Sequence, residues 1–318
     1  MNDKDFLSIL DTKSEDVINL IDKAVQIKNG NQKVNRHNAV ELRGYSSSKP
    51  LEGKNAVLLF EKPSLRTRVS FEVGLRQLGS NCIYLSKEDV GLGIREPVAH
   101  VSKVLDRWVD VIVARVFSHE SLQELAINTK IPVINALSDF EHPCQAIGDL
   151  LTIFEHKKGF HNLKVAFIGD GNNVATSLAL ACSSVGANFV LASPDKYQIP
   201  KSAWQEATRR ASSNGSNINH TTVPQKALDE ADVIYTDVWT SMGQDSEREK
   251  RLREFTGYQV TPDLLNYAKP DSIFMHDMPA HEGEEVAAGM LEHPNSVVFD
   301  QAENRLHAQK AILVTLLS

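Results

Sequence analysis

Residues 56–78 read AVLLFEKPSLRTRVSFEVGLRQL, and this stretch decides the predicted fold. Its first five residues form an unbroken apolar run with the length of a buried strand. The segment from Leu65 to Leu78 instead places apolar residues at helical spacing. A buried strand that passes through a short polar segment into an amphipathic helix is the repeating unit of a doubly wound parallel sheet.

The same alternation extends over the chain in two blocks. Further strands are predicted at 82–85, 109–117, 131–137, 163–168, 188–192, 233–238 and 272–275, and further helices at 5–28, 97–107, 143–157, 173–185, 200–213, 261–268 and 302–317. A chain of 318 residues also suits two domains of about 150 residues each. The sequence therefore predicts an α/β protein with two doubly wound parallel-sheet domains, which meet along the chain near the helix 143–157.

Charge and cysteine usage exclude several classes of function. The formal net charge is −7, so the chain lacks the basic field that attracts nucleic acid or an anionic membrane. The cysteines Cys82, Cys144 and Cys182 are widely spaced, which argues against a disulfide framework and a cysteine-rich zinc site. The N-terminal residues carry no long apolar run, so we expect no signal peptide, no membrane span and a cytoplasmic location.

The polar segment after the first strand is a candidate anion-binding site. A helix start offers unpaired backbone N–H groups and the positive end of the helix dipole. Ser64 and Thr67 add hydroxyl donors, and Arg66 adds a planar fork that matches phosphate oxygens. From spacing alone, however, a capped helix with surface arginines is an equally good interpretation.

Two further strand ends of the same half carry side chains suited to an anion. Arg115 ends the third strand, and His142 and Gln145 follow the fourth, where Pro143 begins a helix. A lone histidine at such a position is more often a structural cap. Because sites in doubly wound sheets form beyond the carboxyl ends of the strands, the combination favours one shared site.

Two motifs at these positions resemble a known family. Ser64-Leu65-Arg66-Thr67-Arg68 and His142-Pro143-Cys144-Gln145 resemble the carbamoyl-phosphate signatures of the aspartate/ornithine carbamoyltransferase family. Gly93-Ile94-Arg95-Glu96-Pro97 and Asn135-Ala136-Leu137-Ser138-Asp139 are similar to its ornithine branch. The resemblance implies transfer of a carbamoyl group from carbamoyl phosphate to the δ-amine of L-ornithine, which gives L-citrulline and phosphate.

The resemblance also assigns the carbamoyl-phosphate side. It implies a carbamoyl-phosphate-binding domain at 1–150, joined by the returning C-terminal helix 302–318. The residues that it places on this substrate are Ser64, Leu65, Arg66, Thr67, Arg115, His142, Gln145 and Arg305. Arg115 and His142 would contact the carbonyl oxygen, Gln145 the amide, and Arg305 the phosphate side. Amine attack builds negative charge on that oxygen, and one aimed donor typically lowers the barrier by about 3–4 kcal/mol.

The amino-acid side falls in an ornithine-binding domain at 151–301. The resemblance implies that Asn173, Asp237, Ser241 and Met242 bind ornithine, with Asp237 on the α-ammonium. For Asp237 alone, a helix cap or turn is the structural alternative. The preceding Gly169-Asp170-Gly171 resembles part of a dinucleotide fingerprint, which leaves a nicotinamide dehydrogenase as a weak alternative. The polar residues 244–254 suit a mobile lid.

The chain departs from the family beside this site. The ornithine branch usually carries His-Cys-Leu-Pro where this chain has His276-Asp277-Met278-Pro279, and Glu282 stands where arginine is frequent. By the resemblance, Asp277 and Met278 also contact ornithine, Met278 through its backbone carbonyl, and the Met278–Pro279 bond is cis. Asp277 could pair with the δ-ammonium, accept its proton as a general base, or turn away.

The departure keeps other functions open. Asp277 could change the amine acceptor, or leave a catalytically impaired carbamoyl-phosphate-binding protein. The resemblance to the ornithine branch implies a carbamoyltransferase in which Arg115, His142, Asp277 and Arg305 are catalytic. Neither a metal nor another cofactor is expected, and the predicted partners are the two small-molecule substrates. The family further implies a homotrimer or a multiple of trimers.

Overall fold

The computed structural model describes residues 4–30, 49–241 and 243–318, without the side chain of Asp245. The chain forms two compact units, the first made of Met1–Leu151 with Glu303–Ser318 and the second of Thr152–Ala302. Each unit contains one parallel β-sheet with helices between its strands. The predicted fold class is therefore confirmed.

The first unit has a four-stranded sheet in the order β2-β1-β3-β4. Its strands are β1 Asn55–Phe60, β2 Asn81–Ser86, β3 Val111–Arg115 and β4 Val133–Leu137. Its helices are α1 Ser14–Asn29, α2 Leu65–Leu78, α3 Lys87–Val90, α4 Val98–Leu105 and α5 His119–Ile127, followed by α6 Pro143–Lys157, along which the chain enters the second unit. Phe60 pairs with Arg115, so strands β1 and β3 end side by side.

The N-terminal helix is shorter than predicted. Residues 5–28 were expected to be helical, but helix α1 begins at Ser14. The amide of Phe6 donates to the carbonyl of Val133 at 2.9 Å, and the amide of Asn135 donates to the carbonyl of Phe6 at 2.8 Å. The segment around Phe6 therefore pairs with the free edge of strand β4 instead of continuing the helix.

The second unit has a five-stranded sheet in the order β7-β6-β5-β8-β9. Its strands are β5 Lys164–Ile168, β6 Asn188–Ala192, β7 Ile218–Thr221, β8 Val233–Thr236 and β9 Ile273–His276. Its helices are α7 Asn173–Ser184, α8 Lys201–Ser213, α9 Pro224–Leu228, α10 Arg248–Glu254 and α11 Pro262–Leu265, with α12 Val298–Leu317 leading the chain back to the first unit. Short 3₁₀ turns cover Asp245–Glu247 and Met290–Glu292.

The strands of both sheets are filled with apolar side chains. Val57, Leu58 and Leu59 of strand β1 are buried, as are Ala166 and Phe167 of strand β5. Such continuous apolar strands are expected where helices cover both faces of a parallel sheet. Within the described ranges, no helix is long and apolar enough to cross a membrane.

Candidate active site

The start of helix α2 is built as the sequence predicts. Ser64 is the N-cap residue: its hydroxyl accepts from the amide of Thr67 at 3.3 Å and donates to the Thr67 hydroxyl at 3.0 Å. Arg66 is half-buried, whereas the Leu65 side chain is 74% exposed. Leu65 can therefore serve an anion through its backbone amide at the helix start, where such groups are free of intrahelical partners.

Two buried arginines converge on the hydroxyl of Thr67. Arg305, from helix α12, donates from Nη2 to Thr67 Oγ1 at 2.6 Å and from Nη1 to Gln145 Oε1 at 2.8 Å. Arg115, at the end of strand β3, approaches the same Thr67 oxygen at 3.4 Å. Residues that lie up to 238 positions apart thus form one cationic cluster.

His142 completes this cluster as a neutral group. Its side chain is buried, and its pKa is lowered well below the ordinary value by burial and by the charges of Arg305 and Arg115. The imidazole is therefore uncharged at neutral pH and can donate one hydrogen bond without adding charge. A neutral donor beside two guanidinium groups suits an oxygen that becomes negative during a reaction.

Helix α6 positions Gln145 and packs closely against Arg305 of helix α12. Gln145 donates from Nε2 to Asp149 Oδ1 at 2.8 Å, which leaves its carbonyl oxygen directed to Arg305. A Cβ on Gly148 would lie 3.4 Å from the Arg305 amide nitrogen, so the glycine permits the close approach of the two helices. Burial raises the pKa of the neighbouring Cys144 thiol to about 12, so this cysteine is not a nucleophile at neutral pH.

In the second unit, Asn172 links two predicted features. It is the N-cap of helix α7, and its Oδ1 accepts from the amides of Val174 at 2.9 Å and Ala175 at 3.1 Å. Its Nδ2 donates to Asp237 Oδ2 at 2.7 Å. Sequence reasoning assigned ornithine binding to the next residue, Asn173, which is half-buried and begins the helix. It missed Asn172, although asparagine before a helix is a capping signal.

The glycines of this turn have a packing role. A Cβ on Gly171 would lie 2.4 Å from backbone atoms of Gln198 and Ile199. The Gly171 amide also donates to the Tyr197 carbonyl at 2.9 Å. Close backbone packing therefore explains this glycine without a dinucleotide.

Asp237 and Asp277 lie together at the ends of strands β8 and β9. Ligand-type atoms of Asp237, His276 and Asp277 all lie within 4.8 Å of one another. Asp237 is buried, and burial together with the Asp277 charge raises its pKa well above the ordinary value. Asp277 is close to the His276 ring, with Oδ1 at 3.5 Å from Nδ1. The side chain of Asp277 therefore lies beside Asp237, which argues against the alternative in which Asp277 turns away from the site.

The segment after strand β8 is held by an arginine that sequence reasoning missed. Arg251 of helix α10 is buried and donates to Asp170 Oδ2 at 2.6 Å and to the Trp239 carbonyl at 2.8 Å. Burial raises the pKa of Asp170 to about 6 despite this partner. The Ser241 amide donates to Gln244 Oε1 at 3.1 Å, and Met242, predicted to bind ornithine, lies outside the described residues. The mobility predicted for residues 244–254 stays a prediction.

Other polar side chains near strand β9 are engaged within the protein. His281, Glu284 and Glu285 offer atoms within 4.8 Å of one another. Glu284 contacts Arg248, and Glu285 accepts from His276 Nε2 at 3.2 Å. Because these carboxylates serve internal partners, we assign no metal to them. Met278 begins the Met278–Pro279 bond, which is cis as the resemblance implied, and Glu282 accepts from the Gly289 amide at 3.1 Å.

Comparison with known proteins identifies the class of protein. The family profile described as "Aspartate/ornithine carbamoyltransferase, carbamoyl-P binding domain" matches residues 4–155. The profile described as "Aspartate/ornithine carbamoyltransferase, Asp/Orn binding domain" matches residues 161–316. Together the two profiles span nearly the whole chain. The chain belongs to the aspartate/ornithine carbamoyltransferase family.

Individual relatives lie in one branch of that family. The chain is 46% identical over 314 residues to an ornithine carbamoyltransferase of Anoxybacillus flavithermus, covering 99% of this chain and 96% of the relative. The structure of ornithine carbamoyltransferase from Pyrococcus furiosus matches with a TM-score of 0.91 at 44% identity, covering 99% of this chain and 97% of that one. The enzyme of Thermus thermophilus matches with a TM-score of 0.85 at 42% identity, covering 99% of both chains.

Proposed function

We propose that the protein is an ornithine carbamoyltransferase, which moves the carbamoyl group of carbamoyl phosphate to the δ-amine of L-ornithine and releases L-citrulline and phosphate. Relatives at 44–46% identity over almost the full chain carry that name. The observation that carries the proposal is the convergence of Arg115, Arg305 and Gln145 around Thr67. Four residues from four separate elements, helix α2, strand β3, helix α6 and helix α12, make a site for a small anion.

In this proposal, residues 1–150 with 302–318 bind carbamoyl phosphate. The hydroxyls of Ser64 and Thr67, the backbone at Leu65 and the guanidinium of Arg66 hold the phosphate, since they cluster at the first turn of helix α2. Arg305 reaches the same turn through Thr67. Arginine suits this task because its fixed fork of donors matches phosphate oxygens.

The carbamoyl group is placed on the other side of the cluster. Arg115 and neutral His142 donate to its carbonyl oxygen, and the Gln145 side chain contacts its amide. When the amine attacks the carbonyl carbon, charge grows on that oxygen and both donors gain strength in the transition state. The bond to phosphate then breaks, and phosphate leaves as an anion beside arginines. The displacement needs no covalent intermediate with the protein.

Residues 151–301 bind the amino acid. Asn173, Asp237, Ser241 and Met242 are assigned to ornithine, with Asp277 and the Met278 carbonyl near its side-chain amine. Ornithine carries two ammonium groups, and the adjacent carboxyl groups of buried Asp237 and half-buried Asp277, at the ends of strands β8 and β9, are suited to bind ammonium. The proposal extends to a homotrimer, or a multiple of trimers, in the cytoplasm.

A different amine acceptor and a non-catalytic binding protein are the competing functions. Both alternatives are considered because Asp277 stands where the family usually has cysteine, and the names of the relatives favour neither of these two functions. An assay for ureido products separates all three. Ornithine, N-acetylornithine, putrescine and lysine are each offered with carbamoyl phosphate. We expect product with ornithine, at a kcat/KM at least about tenfold above the other amines, which corresponds to about 1.4 kcal/mol.

Two variants show whether the product comes from this site. Arg305→Ala should abolish turnover, because its guanidinium joins Thr67 and Gln145. Lys310→Ala on the same helix is the matched control, since Lys310 contacts the exposed Gln77 instead. Preference for another amine would replace ornithine in the proposal. Tight binding of a carbamoyl-phosphate analogue without turnover of any amine would support the binding protein.

A further inference from the structure

A carboxylate oxygen of Asp237 and one of Asp277 lie within 4.8 Å of each other. An ionised carboxylate has only acceptor atoms, so two ionised carboxylates repel each other and cannot hydrogen-bond directly. A proton retained on one of the two groups removes that repulsion. Both side chains are largely removed from water, with Asp237 6% exposed and the Asp277 side chain 13% exposed. Two like charges at such a short distance in a buried site favour the retention of that proton.

The neighbouring His276 directs no N–H group at Asp277. Its Nδ1 accepts from the Met278 amide at 2.9 Å, and its Nε2 faces Glu285 Oε1 at 3.2 Å. The network therefore assigns the single ring proton to Nε2 and a lone pair to Nδ1. The nitrogen that lies 3.5 Å from Asp277 accepts a hydrogen bond from the Met278 amide, so it donates no hydrogen bond to that carboxylate.

Two further polar side chains, Asn172 and Asp170, interact with Asp237. Asn172 donates to Asp237 from a neutral amide. Asp170 is a further carboxyl group whose pKa the Asp237 charge helps to raise, and its own partner is Arg251 at 2.6 Å. Glu285 lies beyond His276. Burial and the Asp277 charge raise the pKa of Asp237 well above its ordinary value, which agrees with the geometry.

We propose that Asp237 and Asp277 share one proton in the free protein, and that their remaining negative charge accepts the proton that the δ-ammonium of ornithine loses before it attacks. This inference rests on the proposed function. The shared proton belongs to the pair and not to one residue. It makes Asp277, where the family usually has cysteine, part of a two-carboxyl general base.

The proton balance of the step is complete. The δ-ammonium gives one proton to the pair, which leaves a neutral amine and two protonated carboxyl groups. The amine lone pair forms the C–N bond while the C–O bond to phosphate breaks, and phosphate leaves with that electron pair. The second proton of the attacking nitrogen goes to phosphate, which departs as its dianion. The pair finally returns its extra proton to water.

The pH dependence of ornithine turnover tests the proton transfer. An alkylammonium has an ordinary pKa of about 10.4, so without a base the reactive amine must come from the small neutral fraction in solution. We expect the wild-type kcat/KM for ornithine to be level from about pH 7 to 9. Asp277→Asn should lower it about 10²- to 10⁴-fold at pH 7, with a recovery of about tenfold per pH unit toward pH 10.

The control is Asp271→Asn, since Asp271 is exposed and pairs with Lys157 at 3.0 Å. It should follow the wild-type profile. An Asp277→Asn variant whose loss of activity is the same at every pH would overturn the proton transfer, because a purely structural defect has no such slope. The same holds if the variant matches the wild type throughout.

A second measurement observes the shared proton without any turnover. Carboxyl-¹³C aspartate labelling should show one carboxyl group that is still protonated at pH 7 in the free wild type. That signal should disappear in Asp277→Asn and persist in Asp271→Asn. If both groups of the wild type are ionised at pH 7, the inference fails even when citrulline is formed. If the signal is present but no citrulline forms, the pair exists and the proposed function is the part that fails.

Discussion

Replacing Thr67 with valine removes the oxygen on which the cationic cluster is centred. Valine has nearly the shape of threonine, so the buried position stays filled while the hydroxyl is lost. Thr67 Oγ1 accepts from Arg305 at 2.6 Å and from Arg115 at 3.4 Å, and the Ser64 hydroxyl lies 3.0 Å away. The change therefore releases two guanidinium groups at once.

The magnitude follows from the quality of these contacts. The short bond from Arg305 is charge-assisted and contributes about 1.5–3 kcal/mol, whereas the long contact from Arg115 contributes about 0.5–1 kcal/mol. We therefore expect Thr67→Val to cost about 2–4 kcal/mol in transition-state binding, or about 30- to 1,000-fold in kcat/KM for carbamoyl phosphate. Most of the loss should appear in KM, because the hydroxyl is also assigned to phosphate in the ground state.

Saturation kinetics with carbamoyl phosphate at fixed ornithine measure this effect. Thr67→Ser is the matched control, because it keeps the hydroxyl and removes only a methyl group. It should stay within about fivefold of the wild type, about 1 kcal/mol. A valine variant that is as active as the serine variant would show that Thr67 does not organise the two arginines, and the proposed geometry of the anion site would be wrong.

Three further predictions concern the same two units. Arg305→Lys should lower kcat/KM for carbamoyl phosphate about 10- to 100-fold in the same assay. One ammonium group cannot reproduce both hydrogen bonds of Arg305, which reach Thr67 at 2.6 Å and Gln145 at 2.8 Å. A lysine variant with wild-type kinetics would contradict this prediction. The pKa of His142 is lowered in the folded state, so the unfolded chain binds more protons below about pH 6.5 and the free energy of unfolding should fall with acidification there. Urea unfolding from pH 7 to 5 should show a smaller fall for His142→Gln. An equal fall in both proteins would refute the lowered pKa of His142. Gly171→Ala should destabilise the protein by about 3 kcal/mol or more, because its Cβ would lie 2.4 Å from the backbone at 198–199. Gly159→Ala, with no atom within 4 Å of its Cβ, is the control and should change the free energy of unfolding in urea little. Similar free energies of unfolding for both variants would contradict the close approach at Gly171.

The strands were predictable where they are buried on both faces. Val57 to Phe60 of strand β1 and Val165 to Ile168 of strand β5 are continuous apolar runs, and both lie inside their sheets. Strand β7 was missed because Ile218–Thr221 is short, polar and at the sheet edge. Edge strands need less apolar surface, so their composition resembles that of loops.

Helix boundaries followed the same logic. Helix α2 spans Leu65–Leu78 as predicted, because the apolar spacing begins there and Ser64 caps the first turn. Helix α1 was extended too far toward the N-terminus because Leu7 and Leu10 also fit helical spacing. The backbone of Phe6 bonds instead to strand β4, and no local pattern reveals a partner that lies more than 120 residues away.

Some residues of the candidate site could be predicted from the sequence and others could not. Arg115, His142 and Gln145 could be proposed from the sequence, because parallel strands bring their carboxyl ends to one edge. Arg305 could be placed there only through the family resemblance, since it lies on the last helix. The contacts of Asn172 and Arg251 were missed, because a capping residue and a buried arginine gain their meaning from partners that only the fold supplies.

The two units bury charge of opposite sign, and this asymmetry connects their structures to the proposed substrates. In the first unit, burial and the charges of Arg305 and Arg115 lower the pKa of His142, so a third positive charge is disfavoured and the cluster is suited to a dianion. In the second unit, burial and the Asp277 charge raise the pKa of Asp237 well above its ordinary value, and an ammonium group beside the pair would offset the repulsion between the two carboxyl groups. A ligand of opposite charge relieves the repulsion in each unit and binds the folded chain alone, and at 100 times its Kd it should stabilise the fold by about 2.7 kcal/mol. Substrate binding and folding stability therefore depend on the same buried charges.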